Sequence, residues 1–501
     1  MSVPLSPAGA RSRLASLLPG RDDLGQMRRN PRRDLLAGLT VAVVALPLAL
    51  GFGVSSGLGA EAGLATAVVA GALAAVFGGS NLQVSGPTGA MTVVLVPIVA
   101  DHGPSGVLTV GLMAGAILVA LALLRAGGSM RYVPAPVVEG FTLGIACVIG
   151  LQQIPNALGV SVPEGERVLV VAWRAFGEFT RAPDWTAVAL ALSVAAVMLL
   201  GARRRPAVPF SLLAVIAATL VVQIGGPDGV RSIGELPSGL PAPSLAFLDA
   251  GALPGLVAPA VAVAALAALE SLLSASVADG MTVGQRHDAD RELFGQGVAN
   301  LAAPLFGGVP ATGAIARTAV NVRSGATSRL ASLTHAAVLA AIVFAAAPLV
   351  SKIPLAALAG VLLATAVRMV EAGSLRAMAR ATRSDALILV LTAGATLVLD
   401  LVLAVVIGLA VAGLLALRAV ARQARLAPLA LDRGDHTEEE HRLLAEHIVA
   451  YRLDGPLFFA AAHRFLLELT ELADVRVVIL RLSHVSVVDA TGALVLKDAV
   501  A

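Results

Sequence analysis

Two short stretches concentrate the residues that could handle a charged solute. GGVPATGAIART (307–318) opens with glycines and a proline and carries Arg317 near its end. SGPTGAMT (85–92) repeats the theme, Pro87-Thr88-Gly89-Ala90 answering Pro310-Ala311-Thr312-Gly313-Ala314. A proline at the first turn of a helix costs nothing, because its missing N–H would have had no intrahelical acceptor. The free N–H groups of Thr88, Gly89 and Ala90, and those from Thr312 to Ile315, would then face a cavity. Helix N-termini carry roughly half a positive charge and bind anions without a full ionic partner. Arg317 adds a permanent charge, so the paired stretches describe a site for a small anion. Glycine and alanine that merely permit close helix packing are the plainer alternative. That alternative explains either stretch alone better than it explains a matched pair with an arginine.

Glu270, in AALESLLSAS, is the second residue that stands out. A carboxylate deep in an apolar span costs about 2.5–3.5 kcal/mol on insertion scales, which makes it a functional candidate by default. Ser274 lies one turn on and shares its face. Together they suit Na⁺ through oxygen ligands, or Glu270 alone suits a proton carrier. An ion pair between Glu270 and Arg317, holding two helices together, is the purely structural reading. Asp279, nearer the inner end with Arg286, reads as solvated.

The elements that must position these residues belong to a bilayer. The chain has 501 residues, 57% hydrophobic and only 14% charged, against roughly 25% charged in soluble proteins. Apolar runs of spanning length fall near 34–55, 60–78, 104–124, 133–153, 185–202, 208–224, 254–280, 291–306, 327–350, 354–371, 384–400 and 401–420. With the interrupted segments near 84–100 and 310–323 they predict about fourteen transmembrane segments of an all-α polytopic membrane protein. Interrupted backbone at membrane depth is tolerated where it is buried or lines a cavity, and paired interruptions point to a transporter's midplane site.

Charge placement supports both interruptions. With residues 1–33 as a cytoplasmic tail, the inner loops carry Arg125 and Arg131, Arg203 to Arg205, Arg286 and Arg291, Arg323 and Arg329, then Arg376, Arg380 and Arg383. The short outer loops at 56–59, 101–103 and 306–309 carry no Arg or Lys, and Lys352 is an isolated exception. The inner loop 79–83 is uncharged, and the longer outer segments near 156–184 and 225–253 carry a few arginines, long loops obeying the rule weakly. Dropping either interrupted segment would invert every later loop. The outer stretch 164–185 reads as a helix on the membrane interface, with Trp173 and Trp185 at headgroup depth.

The same composition narrows the function. Arginines that, Arg317 apart, fall mostly in loops argue against nucleic-acid binding. The only lysines, Lys352 and Lys497, follow no glycine, so no P-loop supplies ATP coupling. His102 and His335 stand alone, as structural histidines usually do, and no catalytic or metal-ligand set occurs, so an enzyme is not expected. Cys147 is the sole cysteine and excludes an internal disulfide. The tail lacks the compact apolar core of a cleavable signal peptide. Residues 421–446 read as a linker, and 447–501 as a small α/β module of strand, helix (460–472), strand and a second helix from Thr491. That module is expected to be cut short, since domains of roughly 100 residues are common.

The chain resembles the SulP (sulfate permease) anion-transporter family over nearly everything from Arg32 to Gly492. The resemblance rests on DLLAGLTVAVVALPLALGFG (34–53), FGGSNLQVSGPTGAMTVV (77–94) and FGQGVANLAAPLFGGVPATGAIARTAVNVRSGA (294–326). VVDATG (487–492) looks like the start of a STAS domain. The nearest likeness is to BicA-like, bicarbonate-transporting members, through LPLALGFG and PTGAMTVV. The resemblance implies a 7+7 inverted repeat, here about 34–224 and 254–420, split into core and gate domains, with an elevator mechanism and a homodimer. It places Thr88, Gly89, Ala90, Gly313, Ala314, Ile315 and Arg317 around the anion, and Leu48 and Phe52 on the cavity wall. Glu270 and Ser274 fall where those members hold sodium with Asp and Thr, and Ile315 stands where they have Thr. These departures favour proton over Na⁺ coupling, while Leu48 offers the first span no polar group.

The expectation is a secondary active transporter of a small inorganic anion, bicarbonate ahead of sulfate, coupled to Na⁺ or H⁺. It would sit in the cell (plasma/inner) membrane with both termini cytoplasmic and need no cofactor beyond a bound Na⁺. The alternatives are a sulfate transporter of the same family, an uncoupled exchanger or channel, or an anchor for a regulatory carboxy-terminal module.

Overall fold

Every apolar stretch of the sequence contains helix in the computed structural model, which describes residues 16–128, 133–161, 168–205, 208–226, 229–237, 239–399, 401–429, 448–460 and 477–500. A short helix α1 (Arg21–Met27) precedes α2 (Pro31–Ser55), which starts inside the stretch expected as a tail. Then come α3 (Ala60–Phe77), the two-residue strand β1 (Ser85–Gly86), α4 (Gly89–Leu123), α5 (Ala135–Gln152), α6 (Val168–Arg181), α7 (Trp185–Arg204) and α8 (Phe210–Gly225). The second half runs through α9 (Leu253–Met281), α10 (Ala289–Ala302), β2 (Thr312–Gly313), α11 (Ile315–Arg323), α12 (Leu330–Val350), α13 (Leu355–Met369), α14 (Ala372–Ala381), α15 (Arg383–Val398) and α16 (Leu401–Ala421).

Among the described residues nine helices are long and apolar enough to cross a membrane, fewer than the fourteen segments expected. The difference has two physical sources. α8, α10, α11 and α15 are short or carry polar residues, and α4 runs through two expected segments as two helices that meet at a non-helical residue. That residue is Gly103, at φ 66° and ψ −176°, just before Pro104. A left-handed φ is open to glycine at no steric cost. Outward-facing Leu192, Leu200, Leu220, Ile224, Phe344 and Val390 are exposed, the apolar surface a lipid-facing helix must present. α6 buries Ala172, Ala175 and Phe179 and leaves Trp173 81% exposed, an amphipathic helix where the interfacial one was expected.

The helices sort into two packing groups. α2, α3, α4, α9, α10, α11 and α12 pack mainly on one another, while α5, α7, α8, α13 and α15 form the second set. Each group draws from both halves of the chain, the first group taking the opening helices of each half. Close approach is bought with small residues: an added Cβ on Gly115 would lie 2.6 Å from the Leu301 nitrogen, so α4 and α10 touch backbone to backbone.

The chain divides into two compact units, residues 1–406 and 407–501. In the second, β3 (Arg425–Leu429), β4 (Ile448–Leu457) and β5 (Val477–Val488) form a sheet in that order, β3 antiparallel and β5 parallel to β4. β3 arises within the expected linker; its Pro428 is tolerable because β3 is an edge strand. The expected helix 460–472 lies almost wholly outside the described residues. The last helix, α17 (Ala490–Val500), is capped by Asp489, whose Oδ1 accepts from the Gly492 N–H at 2.8 Å and Oδ2 from the Phe459 N–H at 3.0 Å. The Gly492 N–H and its neighbours hold the Asp489 carboxyl below the usual carboxylate range. Val495 on α17 joins Leu453 and Leu457 in the unit's small core.

Candidate functional site

The two interrupted stretches meet. β1 and β2 pair antiparallel, Ser85 opposite Gly313 and Gly86 opposite Thr312, and the Ala314 N–H donates to the Val84 carbonyl at 2.9 Å. Non-helical backbone at membrane depth must satisfy its polar groups within the protein, and this ladder does so. α4 and α11 therefore begin on either side of one crossing point. Thr88 caps α4, its hydroxyl accepting from the Met91 N–H at 3.4 Å. Gly86, at φ 153°, allows the approach: a Cβ there would lie 2.7 Å from Arg317 Nη1.

Glu270 reaches this crossing from α9. Its Oε2 accepts from the Thr88 hydroxyl at 2.8 Å and from the Thr312 hydroxyl at 2.5 Å, and the two threonine oxygens lie 3.2 Å apart. The neighbouring Ser271 hydroxyl accepts from the Gly313 N–H at 2.9 Å. Ser274 turns elsewhere: its hydroxyl is 2.9 Å from that of Thr318, which also accepts from the Val84 N–H at 3.0 Å. Glu270 and Ser274 thus share a helix face but hold different partners.

Arg317 is 2% exposed, its Nη2 donating to the Pro87 carbonyl at the start of the opposite half-helix. Among the described residues Nη1 has no hydrogen-bond partner, and no ion pair joins Arg317 to Glu270. A buried guanidinium nitrogen left without an acceptor is costly. The remaining predicted residues spread around this centre. Phe52 lies against Gly89, where a Cβ would come 3.1 Å from the Phe52 ring and would collide with Ile149. Ala90 and Ala314 are buried at the two helix starts, Ile315 is half-buried at the first position of α11, and Leu48 belongs to the apolar core with no polar contact of its own.

Several positions that hold the site escaped the sequence reading. Glu292, Gln296 and Asn300 recur at four-residue steps along α10, all buried. Glu292 accepts from the Gly79 and Ser80 N–H groups at 2.9 and 3.1 Å and from Gln83 and Gln296 at 2.8 and 2.9 Å. Gln296 also donates to Ser85 at 2.6 Å, and Asn300 exchanges hydrogen bonds with the Ala311 backbone at 2.9 and 2.8 Å. One helix thereby ties the approach to both half-helices. Polar side chains repeating at i, i+4 and i+8 in an apolar run were the available signal. The hydroxyls of Thr312, Thr318 and Ser271 gave none, since only the crossing shows what they face.

Known proteins share this architecture. The sulfate permease family profile matches residues 32–392, and the STAS domain profile matches 444–501. YvdB of Bacillus subtilis (strain 168), provisionally named a sulfate transporter, is 38% identical over 86% of this chain and 81% of its own length. The bicarbonate transporter BicA of Synechocystis sp. is 33% identical over 94% of this chain and 86% of its own. The solved transmembrane domain of a cyanobacterial BicA superposes with a TM-score of 0.68 at 34% identity, covering 77% of this chain and 98% of that one. SLC26A9 matches 98% of this chain and 86% of its own with a TM-score of 0.84 at 17% identity, a likeness of fold.

Proposed function

This chain belongs to the sulfate permease family and carries a STAS domain, and on that premise we propose that it is a secondary active transporter of a small inorganic anion, bicarbonate ahead of sulfate. The observation that carries the proposal is the buried Nη1 of Arg317, without a hydrogen-bond partner among the described residues, beside two opposed half-helix starts. Each helix terminus contributes about half a positive charge, so with Arg317 and an ionised Glu270 the site is left about one charge positive. That suits bicarbonate. A proton or cation on Glu270 raises the figure to about two, which suits sulfate.

Coupling would run through the two threonines. Each hydroxyl has one hydrogen to give, and with Glu270 ionised both are spent on its Oε2. A proton on that carboxylate would turn it into a donor and release one threonine hydrogen toward the anion. Proton binding and anion binding would then favour each other. The same three oxygens could hold Na⁺, but Ser274, engaged with Thr318, is not joined to them.

Thr88, Glu270, Arg317 and Phe52 all belong to the first packing group, so that group could carry the anion as a body past the second, as an elevator does. The protein is proposed to act as a homodimer in the cell membrane with both termini cytoplasmic. Uptake of labelled bicarbonate and sulfate into proteoliposomes, under imposed H⁺ or Na⁺ gradients, tests the proposal. Accumulation driven by one cation gradient supports it. Flux that only follows the anion gradient would make the protein an uncoupled exchanger or channel.

A further inference from the structure

His335 lies in α12 with no exposed surface, and among the described residues neither ring nitrogen has a hydrogen-bond partner. An imidazole buried this way forfeits its hydration for nothing. Around the crossing Arg317 Nη1 is in the same condition, as are the acceptor oxygens Gln83 Oε1, Gln296 Oε1 and Asn321 Oδ1; of these only Nη1 is a donor that the ring lone pair can serve. Nη1 and the His335 ring border the same small-residue face of α3. A Cβ added to Gly71 would lie 3.3 Å from the Ser85 carbonyl oxygen and 4.0 Å from His335 Nδ1. One added to Gly86 would lie 2.7 Å from Arg317 Nη1 and 3.5 Å from Ala67 Cα. Ala67 and Gly71 are one turn apart on α3, and Ser85 and Gly86 are the two residues of β1. Ring and guanidinium therefore both border one short strand.

We propose that His335 is a positioning residue for Arg317, its ring lone pair taking up one of the two Nη1 hydrogens through a single buried water and leaving the other to the anion. The water would find its partners in Nη1, His335 Nδ1 and the Ser85 carbonyl, within the two to four polar contacts a buried water needs. Pro87 fixes Nη2 and His335 fixes Nη1, so the plane of the guanidinium toward the anion is set before the anion arrives. The inference rests on the reading of Arg317 as an anion-site residue.

The test is labelled bicarbonate and sulfate uptake by full-length protein in proteoliposomes, alongside thermal unfolding. His335→Leu is expected to raise KM about tenfold, with the loss on KM rather than kcat. Its unfolding temperature should fall, because the buried water and Nη1 lose an acceptor. His335→Asn, which restores an acceptor and donors, should recover most of the affinity. In an Arg317→Ala background His335→Leu should add nothing. A wild-type KM in His335→Leu, with binding lost in Arg317→Ala, overturns the role of His335 and leaves the anion site standing. Unchanged binding in Arg317→Ala overturns the site itself. Should His335→Leu fail to fold, His335→Ala decides by the same KM, a wild-type value overturning the proposal.

Discussion

Thr88 and Thr312, 224 residues apart in the chain, bring their hydroxyl oxygens within 3.2 Å and both donate to Oε2 of Glu270. The two halves of the membrane domain are joined at this point by a titratable group. Among the described residues no other titratable side chain hydrogen-bonds both Thr88 and Thr312.

Glu270→Gln keeps an acceptor for one threonine but removes the charge. Gradient-driven accumulation is expected to disappear, while exchange of labelled for unlabelled anion across the same vesicles persists. Intact accumulation in this variant would end the coupling role.

Arg317→Lys keeps the charge and loses the fork. A single ammonium cannot hold the Pro87 carbonyl and also present a second, fixed donor. Anion KM should rise roughly tenfold or more, measured by substrate-concentration dependence of uptake.

Gly86→Ala places a methyl 2.7 Å from Arg317 Nη1 at a φ of 153°, which side chains avoid. Backbone strain of this kind costs about 1–3 kcal/mol. Thermal unfolding should shift down and anion affinity should fall together, whereas Gly284→Ala, also at positive φ but with open space around it, should lower stability alone.

Glu292→Gln replaces one of two acceptor oxygens by a donor facing donors. Two of its four partners lose their acceptor, a loss of about 1–3 kcal/mol for each buried group left unpaired. Unfolding of detergent-solubilised protein in a thermal ramp reads it directly, and a shift no larger than that of a surface control would refute the bracing role of α10.

Asp23 offers a pH test outside the membrane spans. Burial pushes its carboxyl up, but hydrogen bonds from Arg291 and the Gly20 N–H, with the Arg329 charge, leave it below its ordinary value of 3.8. Arg291 Nη2 lies 2.7 Å and Arg329 Nε 3.2 Å from its oxygens. A lowered folded value means that this anchoring of α1 is complete above 3.8 and lost as pH falls through the lower value. Hydrogen exchange of residues 21–27 should stay protected from neutral pH to about that point and then rise. Asp23→Asn should exchange faster at neutral pH and lose the acid step.

The features legible in the chain were those written in local pattern. Apolar runs, loop arginines and a Gly/Pro interruption repeated in each half mark the spans and both half-helices, because helix formation and insertion respond to neighbouring residues. Arg317 and Glu270 stood out for the same reason: a charge in an apolar run is conspicuous without any fold. The number of spanning helices was less legible, since the two helices of α4 run on from one another across Gly103 with no loop between them and α10 trades apolar residues for its polar ladder.

Which group meets which was decided only by the tertiary structure. Ser274 shares a helix face with Glu270 yet bonds Thr318, and the hydroxyls that Glu270 does hold come from Thr88 and Thr312 on other elements. Arg317 passes over Glu270 and binds the Pro87 carbonyl on the opposite half-helix. Hydrogen bonds act over about 3 Å, and the order of residues along a chain carries no such distance. The sequence determined that charged and broken segments lie within the membrane; the antiparallel crossing of β1 and β2 determined that they form one site.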